Sequence, residues 1–215
     1  ASQQVSVIGN VATPGQFRVP PNGLRLIEAI ARAGGASAPS FETDVSILRG
    51  PVQDTLQMDA ILHNHRNNIW LQPRDTIKVT HRPRRFTAFG AITSQNMQPL
   101  GAETVSLAEG LAQSGGLNDT QADTGAVFLF RYMARDDLID AGVTLPKSQY
   151  AQGIPTVFQI DFADPNAFFL TSAFAMRDSD VIYVANAAST EFQKLTNLII
   201  GPLFGNAAAV DALAN

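Results

Sequence analysis

His63 and His65 stand two residues apart with Asp59 close by, so on a strand both imidazoles would face one side and seed a metal site. The segment around them is polar and lacks the fixed scaffold a metal centre needs, which favours a solvated loop. Asp136, Asp137 and Asp140 supply a second cluster of hard oxygen ligands. The calcium-loop spacing with its central glycine is missing, and a solvent-facing helical charge cluster is the simpler expectation. No serine occupies a nucleophile elbow, and no histidine is paired with both a nucleophile and an orienting acid. With 19 acidic residues in the chain, carboxylate pairs carry no glycosidase signal. The expectation is a non-enzyme with no catalytic residue, no metal and no cofactor.

Two kinds of side chain point instead to binding. Arg82, Arg84 and Arg85, in the run HRPRR, have the chemistry to hold an anionic glycan or a neighbouring protomer's carboxylates, with a solvated linker as the competing reading. Sugars stack on aromatic faces, and the chain has one tryptophan, Trp70, and three tyrosines, Tyr132, Tyr150 and Tyr183. Phe168, Phe169 and Phe174 lie in the apolar run FFLTSAFAM, expected as a buried strand pair or as a contact between protomers.

The elements that must position these groups come in two copies. LIEAIARAGG, from Leu26 to Gly35, returns as LAEGLAQSGG, from Leu107 to Gly116, and Gly9 returns as Gly90, all at an offset of 81 residues. Leu26, Ile30 and Ala33 make one stripe of a short helix, and Leu107 with Leu111 begins the same stripe in the second copy. Ser106 and Glu109 have the capping-box form, whereas Arg25 stands where the serine would be in the first copy. The pairs Gly34-Gly35 and Gly115-Gly116 follow their helices. They read as helix stops, because a phosphate-binding loop would precede its helix.

Before each helix a short hairpin is predicted, Val5 to Ile8 with Gln16 to Val19 in the first copy, turned by Pro14 and Gly15. After it come Val45 to Leu48 as a buried strand, Leu56 to Met58 and Ile69 to Leu71 as weaker strands, and the closing strand DTIKV, Asp75 to Val79. HRPRR is the linker. Phe86 to Gly90, Val127 to Phe130, QID at Gln159 and DVIYV at Asp180 then repeat the series, with an insertion of about twenty residues near 132–158. That insertion reads as a short helix ending at Gly142 and a surface loop. The predicted organisation is one domain over 1–82, a second over 83–188 and a helical tail over 189–215; strand, hairpin, helix and strand in this order describe an α+β chain built of two tandem β-grasp modules. In the tail, Phe192, Leu195, Leu198 and Ile199 form an apolar stripe, continued by Leu203 and Phe204 beyond a break at Gly201-Pro202.

A hydrophobic content of 45% with 16% charged residues describes folded protein, and a net charge of −4 gives no reason to expect nucleic acid. With no cysteine, disulfides and thiolate chemistry are excluded. No signal peptide opens the sequence, and strand-forming residues begin almost at once, so the chain is expected to be a piece from which something natural has been removed.

The motif V-x-G-x-V-x-x-P-G (Val7, Gly9, Val11, Pro14, Gly15), the helix with Gly34-Gly35, the closing D-x-I-x-V strand and their second set resemble the outer-membrane polysaccharide export proteins. The modules of that family are called SLBB, for soluble ligand-binding β-grasp. The resemblance reaches about Ala188. It implies a homo-oligomer whose modules stack as periplasmic rings between an inner-membrane polysaccharide polymerisation or transport complex and the outer membrane of a Gram-negative bacterium. Capsular or exopolysaccharide would pass through the centre, and the tail, with Phe192 to Phe204 at its heart, would engage the membrane or neighbouring protomers. A glycan- or peptidoglycan-binding module without channel function is the alternative. Two departures stand out. Gln95 and Asn96 replace the Pro-Gly turn, predicting a looser second hairpin, and Gly201-Pro202 interrupts a tail that as one continuous helix would reach about 37 Å.

Overall fold

A computed structural model describes residues 3–143 and 153–186. Tyr150 and the tail residues Phe192, Leu195, Leu198, Ile199, Leu203 and Phe204 lie outside them. The chain divides into two compact units, one ending at Arg84 and the other beginning at Arg85.

In the first unit β1 (Gln4–Gly9) and β2 (Gly15–Arg18) form the hairpin, followed by α1 (Leu26–Arg32), β3 (Thr43–Arg49), β4 (Val52–Gln57), α2 (Met58–His63) and β5 (Thr76–His81). The sheet order is β2-β1-β5-β3-β4, with β1 and β5 parallel and the other neighbours antiparallel. A first and a last strand lying parallel at the sheet centre, with a helix connecting across one face, make this a β-grasp. Val5, Val7, Ile77 and Val79 alternate into the core against Leu26, Ala29 and Ile30 of α1, the period-two and helical stripes each burying one side.

The second unit repeats the plan with β6 (Arg85–Gly90), β7 (Met97–Pro99), α3 (Leu107–Gln113), β8 (Ala122–Met133), α4 (Arg135–Asp140), β9 (Ile154–Ile160), α5 (Asn166–Ala173) and β10 (Val181–Asn186). Its sheet order is β7-β6-β10-β8-β9, again with the first and last strands, β6 and β10, in parallel. Both units are α+β β-grasp modules. β7 pairs with β6 over three residues where β2 pairs with β1 over four. Where the first copy has its Pro-Gly turn, the Gln95 amide donates to Gly90 O at 2.9 Å. The insertion lengthens the β8-β9 hairpin and sets α4 at its tip; α4 ends before Gly142, whose φ is 81°.

Three sequence expectations are corrected. FFLTSAFAM is not a strand pair: α5 occupies most of it, started by Pro165 and by Asp164, whose carboxylate accepts the Asn166 N–H at 2.9 Å. Leu56 to Met58 splits between the end of β4 and the start of α2, which also takes up the segment expected as a loop around Asp59 and His63. Ile69 to Leu71 contributes only an isolated bridge, Trp70 to Arg25. In each case a short apolar run was compatible with either period.

The helix ends explain the duplicated glycines. Gly35 N–H donates to Ile30 O at 2.9 Å and Gly34 N–H to Ala31 O at 3.0 Å, and Gly116 with Leu111 and Gly115 with Ala112 repeat this at 2.9 Å each. That is the Schellman arrangement, and φ near +80° at all four positions is what glycine supplies. At the helix starts, Ser106 makes both halves of the capping box with Glu109, accepting its N–H at 3.2 Å and donating its own at 2.7 Å. Arg25 makes one half: its N–H donates to Glu28 Oε2 at 3.0 Å, and a guanidinium has no acceptor for the other.

Candidate functional site

Beneath one end of each sheet lies an arginine–aspartate clamp that no motif in the sequence announced. Arg131 donates from Nε to Asp180 Oδ1 at 2.8 Å and from Nη2 to Asp180 Oδ2 at 2.6 Å, and again from Nη2 to Ala175 O at 2.8 Å. Arg49 does the same in the first unit, to Asp75 at 3.0 and 2.7 Å and to Trp70 O at 3.0 Å. Each aspartate also accepts a loop N–H, from Gln72 or Arg177, at 2.7 Å. Two parallel charge-assisted bonds fix both planes, and the guanidinium edge left over fixes the loop carbonyl. The first clamp is more open, Arg49 being 37% exposed against 6% for Arg131. The hydrogen bonds to Asp75 hold the Arg49 pKa above its ordinary value. The signal present in the sequence was the pair of aspartates opening DTIKV and DVIYV with an arginine at the end of each buried strand.

The carbonyl that Arg49 holds belongs to the one tryptophan. Trp70 is half exposed. Its backbone is bracketed by Leu26 N–H to Ile69 O at 3.0 Å and Leu71 N–H to Leu24 O at 2.9 Å. The Arg25 guanidinium lies 4.2 Å from the indole centroid and donates to Asn68 O at 2.8 Å. Asn68 is itself held, its Oδ1 accepting the Ile27 N–H at 3.0 Å. Gly23 packs so closely that a Cβ there would stand 2.8 Å from the indole ring. The result is an indole with a cation stacked over one part of its ring and about half of its surface still exposed, an aromatic contact surface beside an anion-pairing group.

The second unit has the same backbone bracket without the aromatic. Leu107 N–H donates to Phe174 O at 2.8 Å and Met176 N–H to Val105 O at 2.7 Å, and the bridged pair is Ser106 and Ala175. Its conspicuous surface is α5, where Phe168, Phe169 and Leu170 are 60%, 79% and 41% exposed. Phe174, by contrast, is partly buried against the core and edge-on to Phe158.

The other residues named from sequence go to separate uses. Arg82 reaches Asp44 at 3.4 Å, Arg84 lies 5.0 Å over the Phe41 ring and donates its N–H to Glu42, and Arg85 approaches Met97 Sδ at 3.4 Å. His63 Nδ1 sits 2.9 Å from its own helix at Asp59 O, and Asp59 takes the Ser40 hydroxyl at 2.7 Å. Among the described residues no three His, Asp or Glu side chains are grouped to hold a metal ion. Asp136, Asp137 and Asp140 are exposed on α4, with Asp137 3.4 Å from Arg177. Tyr132 is exposed on β8, and Tyr183 is half-buried on β10. Among the described residues no helix is long and apolar enough to cross a membrane. An open groove of about 470 Å³ runs along α3, lined by Thr104, Val105, Glu109 and Gln113 among others.

Comparison with known proteins agrees with the duplicated architecture. The SLBB domain family matches residues 3–79 and again 84–184. The chain is 32% identical over 199 residues to the capsule polysaccharide export outer membrane protein CtrA of Neisseria meningitidis serogroup A, covering 90% of this chain and 51% of CtrA. It is 32% identical over 181 residues to the capsule polysaccharide export protein BexD of Haemophilus influenzae, covering 83% and 46%. With the EPS I polysaccharide export outer membrane protein EpsA of Ralstonia nicotianae it shares 28% over 215 residues, covering 96% and 52%. The chain thus spans about half the length of these relatives. Two β-grasp units of matching strand order, each coinciding with one family match, place it: the chain belongs to the SLBB domain family and is built of two SLBB modules in tandem.

Proposed function

We propose that this chain is the periplasmic, two-module part of an outer-membrane polysaccharide export protein of a Gram-negative bacterium. The observation that carries the reading is the alignment of nearly the whole two-module chain with CtrA, BexD and EpsA, each named for polysaccharide export. In this reading the protein is not an enzyme and needs no cofactor. It holds a path open for capsule or exopolysaccharide between an inner-membrane polymerisation or transport complex and the outer membrane.

The β-grasp modules would pack against those of neighbouring protomers in stacked rings, and the tail through Phe192, Leu195, Leu198, Ile199, Leu203 and Phe204 would engage the membrane or the next protomer. Three features support the assembly part of the reading. α5 exposes three consecutive large apolar side chains, a surface that gains by being covered. Arg82, its side chain 72% exposed, remains open to an acid of another protomer or to glycan. The clamps tie the closing strand and the loop before it to the neighbouring strand in each module, which suits a module used as a building block. Light scattering on the whole protein in detergent tests this part: a closed oligomer is expected, and a monomer at micromolar concentration would contradict it.

A glycan-binding module without a channel role is the second reading, favoured by the Trp70 and Arg25 surface. It requires saturable sugar binding by a protein that does not assemble.

A further inference from the structure

We propose that Trp70 and Arg25 form a binding site for a carboxylate-bearing sugar unit, with the exposed part of the indole as the apolar contact surface and the guanidinium stacked over the ring as the partner of the carboxylate. The internal repeat supplies the argument. Both modules make the same pair of backbone hydrogen bonds at this position and the same clamp beneath it, yet the second carries Ser106 and Ala175 where the first carries Arg25 and Trp70. The β-grasp therefore folds without the pair. At this bridged position the first module leaves half of a tryptophan exposed where the second has an alanine, so the backbone bracket itself does not account for the aromatic.

The pair is held ready. Trp70 is fixed through its carbonyl by Arg49 and against its ring by Gly23, and Arg25 through Asn68 O, so little freedom is lost on binding. Among the described residues Arg25 has no carboxylate within ion-pair distance; Glu28, its nearest acid in sequence, takes its backbone N–H and not its guanidinium. Four of its five N–H directions are left for a ligand.

The surroundings favour an acidic glycan over a protein. From Ala60 to Arg74 the sequence AILHNHRNNIWLQPR has no carboxylate, in a chain whose net charge is −4, and brings Arg66, Arg74 and three asparagines instead. Of these polar groups the three asparagines are engaged within the module, with Arg66 N–H, Ala60 O and Ile27 N–H, and the cation the structure sets on the indole is Arg25. A stretch rich in amides and cations and free of carboxylates suits hydroxyls and carboxylates, whereas the core of a protein contact is apolar and poor in charge. This inference rests on the export reading for the polymer's identity, and adds that the polymer passes the first module as an acidic chain.

Because Trp70 is the one tryptophan, its fluorescence reports this site alone. The 215-residue chain is titrated with a galacturonic acid hexamer, a sialic acid hexamer and, as the uncharged control, maltohexaose. A saturable change with at least one acidic hexamer is expected, with maltohexaose about tenfold weaker or silent. Arg25→Gln and, by calorimetry, Trp70→Phe should each weaken the acidic sugar, the former about tenfold; Arg25→Ser and Trp70→Ala, the second module's own residues, should melt within a few degrees of the parent. No saturable change with either acidic hexamer, an equal response to maltohexaose, or Arg25→Gln binding as well as the parent would overturn the proposal. So would Trp70→Phe dissolving an oligomer while sugar binding persists, which would make the surface a protein contact. Strains carrying Arg25→Gln separate the two claims. Normal surface polymer there, beside its loss in a gene deletion, overturns the sugar site and leaves the export reading standing.

Discussion

Arg131 holds Asp180 by two hydrogen bonds, 2.8 and 2.6 Å, with both side chains almost wholly removed from solvent. The pair closes the second module where β10 begins, and Arg49 with Asp75 closes the first in the same way. A buried pair of this kind is costly to break from one side, because the charge left behind has no water to turn to.

Asp180→Asn is therefore expected to destabilise the second module by about 3 kcal/mol or more. Asp75→Asn should cost less, since Arg49 is 37% exposed and keeps part of its hydration. Urea denaturation followed by circular dichroism measures both. Removing both partners, as Arg131→Met with Asp180→Leu, should recover much of the loss, and a double variant as unstable as Asp180→Asn would contradict this account of the clamp.

Gly90 and Gly116 share positive φ but differ in surroundings. A Cβ on Gly90 would stand 2.0 Å from Val184 O in the neighbouring strand, while one on Gly116 meets nothing within 4 Å. Gly116→Ala should cost about 1 to 2 kcal/mol, the backbone penalty alone. Gly90→Ala should cost well beyond that, because the parallel pairing of β6 and β10 must part to admit it. Equal melting temperatures for the two would show that the strand contact is not limiting.

Most of the architecture was legible because it was written twice. A glycine, a helix stripe and a closing strand recurring in order gave the β-grasp modules, and the Gly-Gly pairs gave their helix ends. What was not legible was long-range or short. Arg49 and Asp75 are 26 residues apart and acquire meaning only when β3 and β5 pair. The binding surface was half visible: Trp70 stood out by type, but Arg25 looked like a missing cap until the bridge set it against the indole. FFLTSAFAM misled because a short apolar run carries no period, and Asp164 with Pro165 turned it into a helix.

Glu109 titrates in a defined direction. The backbone N–H and then the hydroxyl of Ser106 hold its carboxyl below the usual carboxylate range. A folded pKa lower than the unfolded one adds stability that is complete above about pH 5 and fades as pH falls through the folded value. The melting-temperature advantage of the parent over Glu109→Gln should accordingly be level near neutrality and shrink in acid. An advantage that grew on acidification would contradict the sign.

Phe169 is 79% exposed and contributes little to its own module. Phe169→Ser should change stability by less than about 0.5 kcal/mol. On the ring reading it should nonetheless weaken assembly of the whole protein, seen by light scattering as a smaller mean mass at a given concentration. An unchanged mass would remove α5 from the protomer contact.

The export role itself is tested most directly in the source bacterium, by deleting the gene that encodes this chain and measuring polysaccharide outside and inside the cell. The account predicts loss of surface polymer with accumulation of the same polymer behind the outer membrane, restored by the parent gene. Surface polymer at the parental level in the deletion would contradict it.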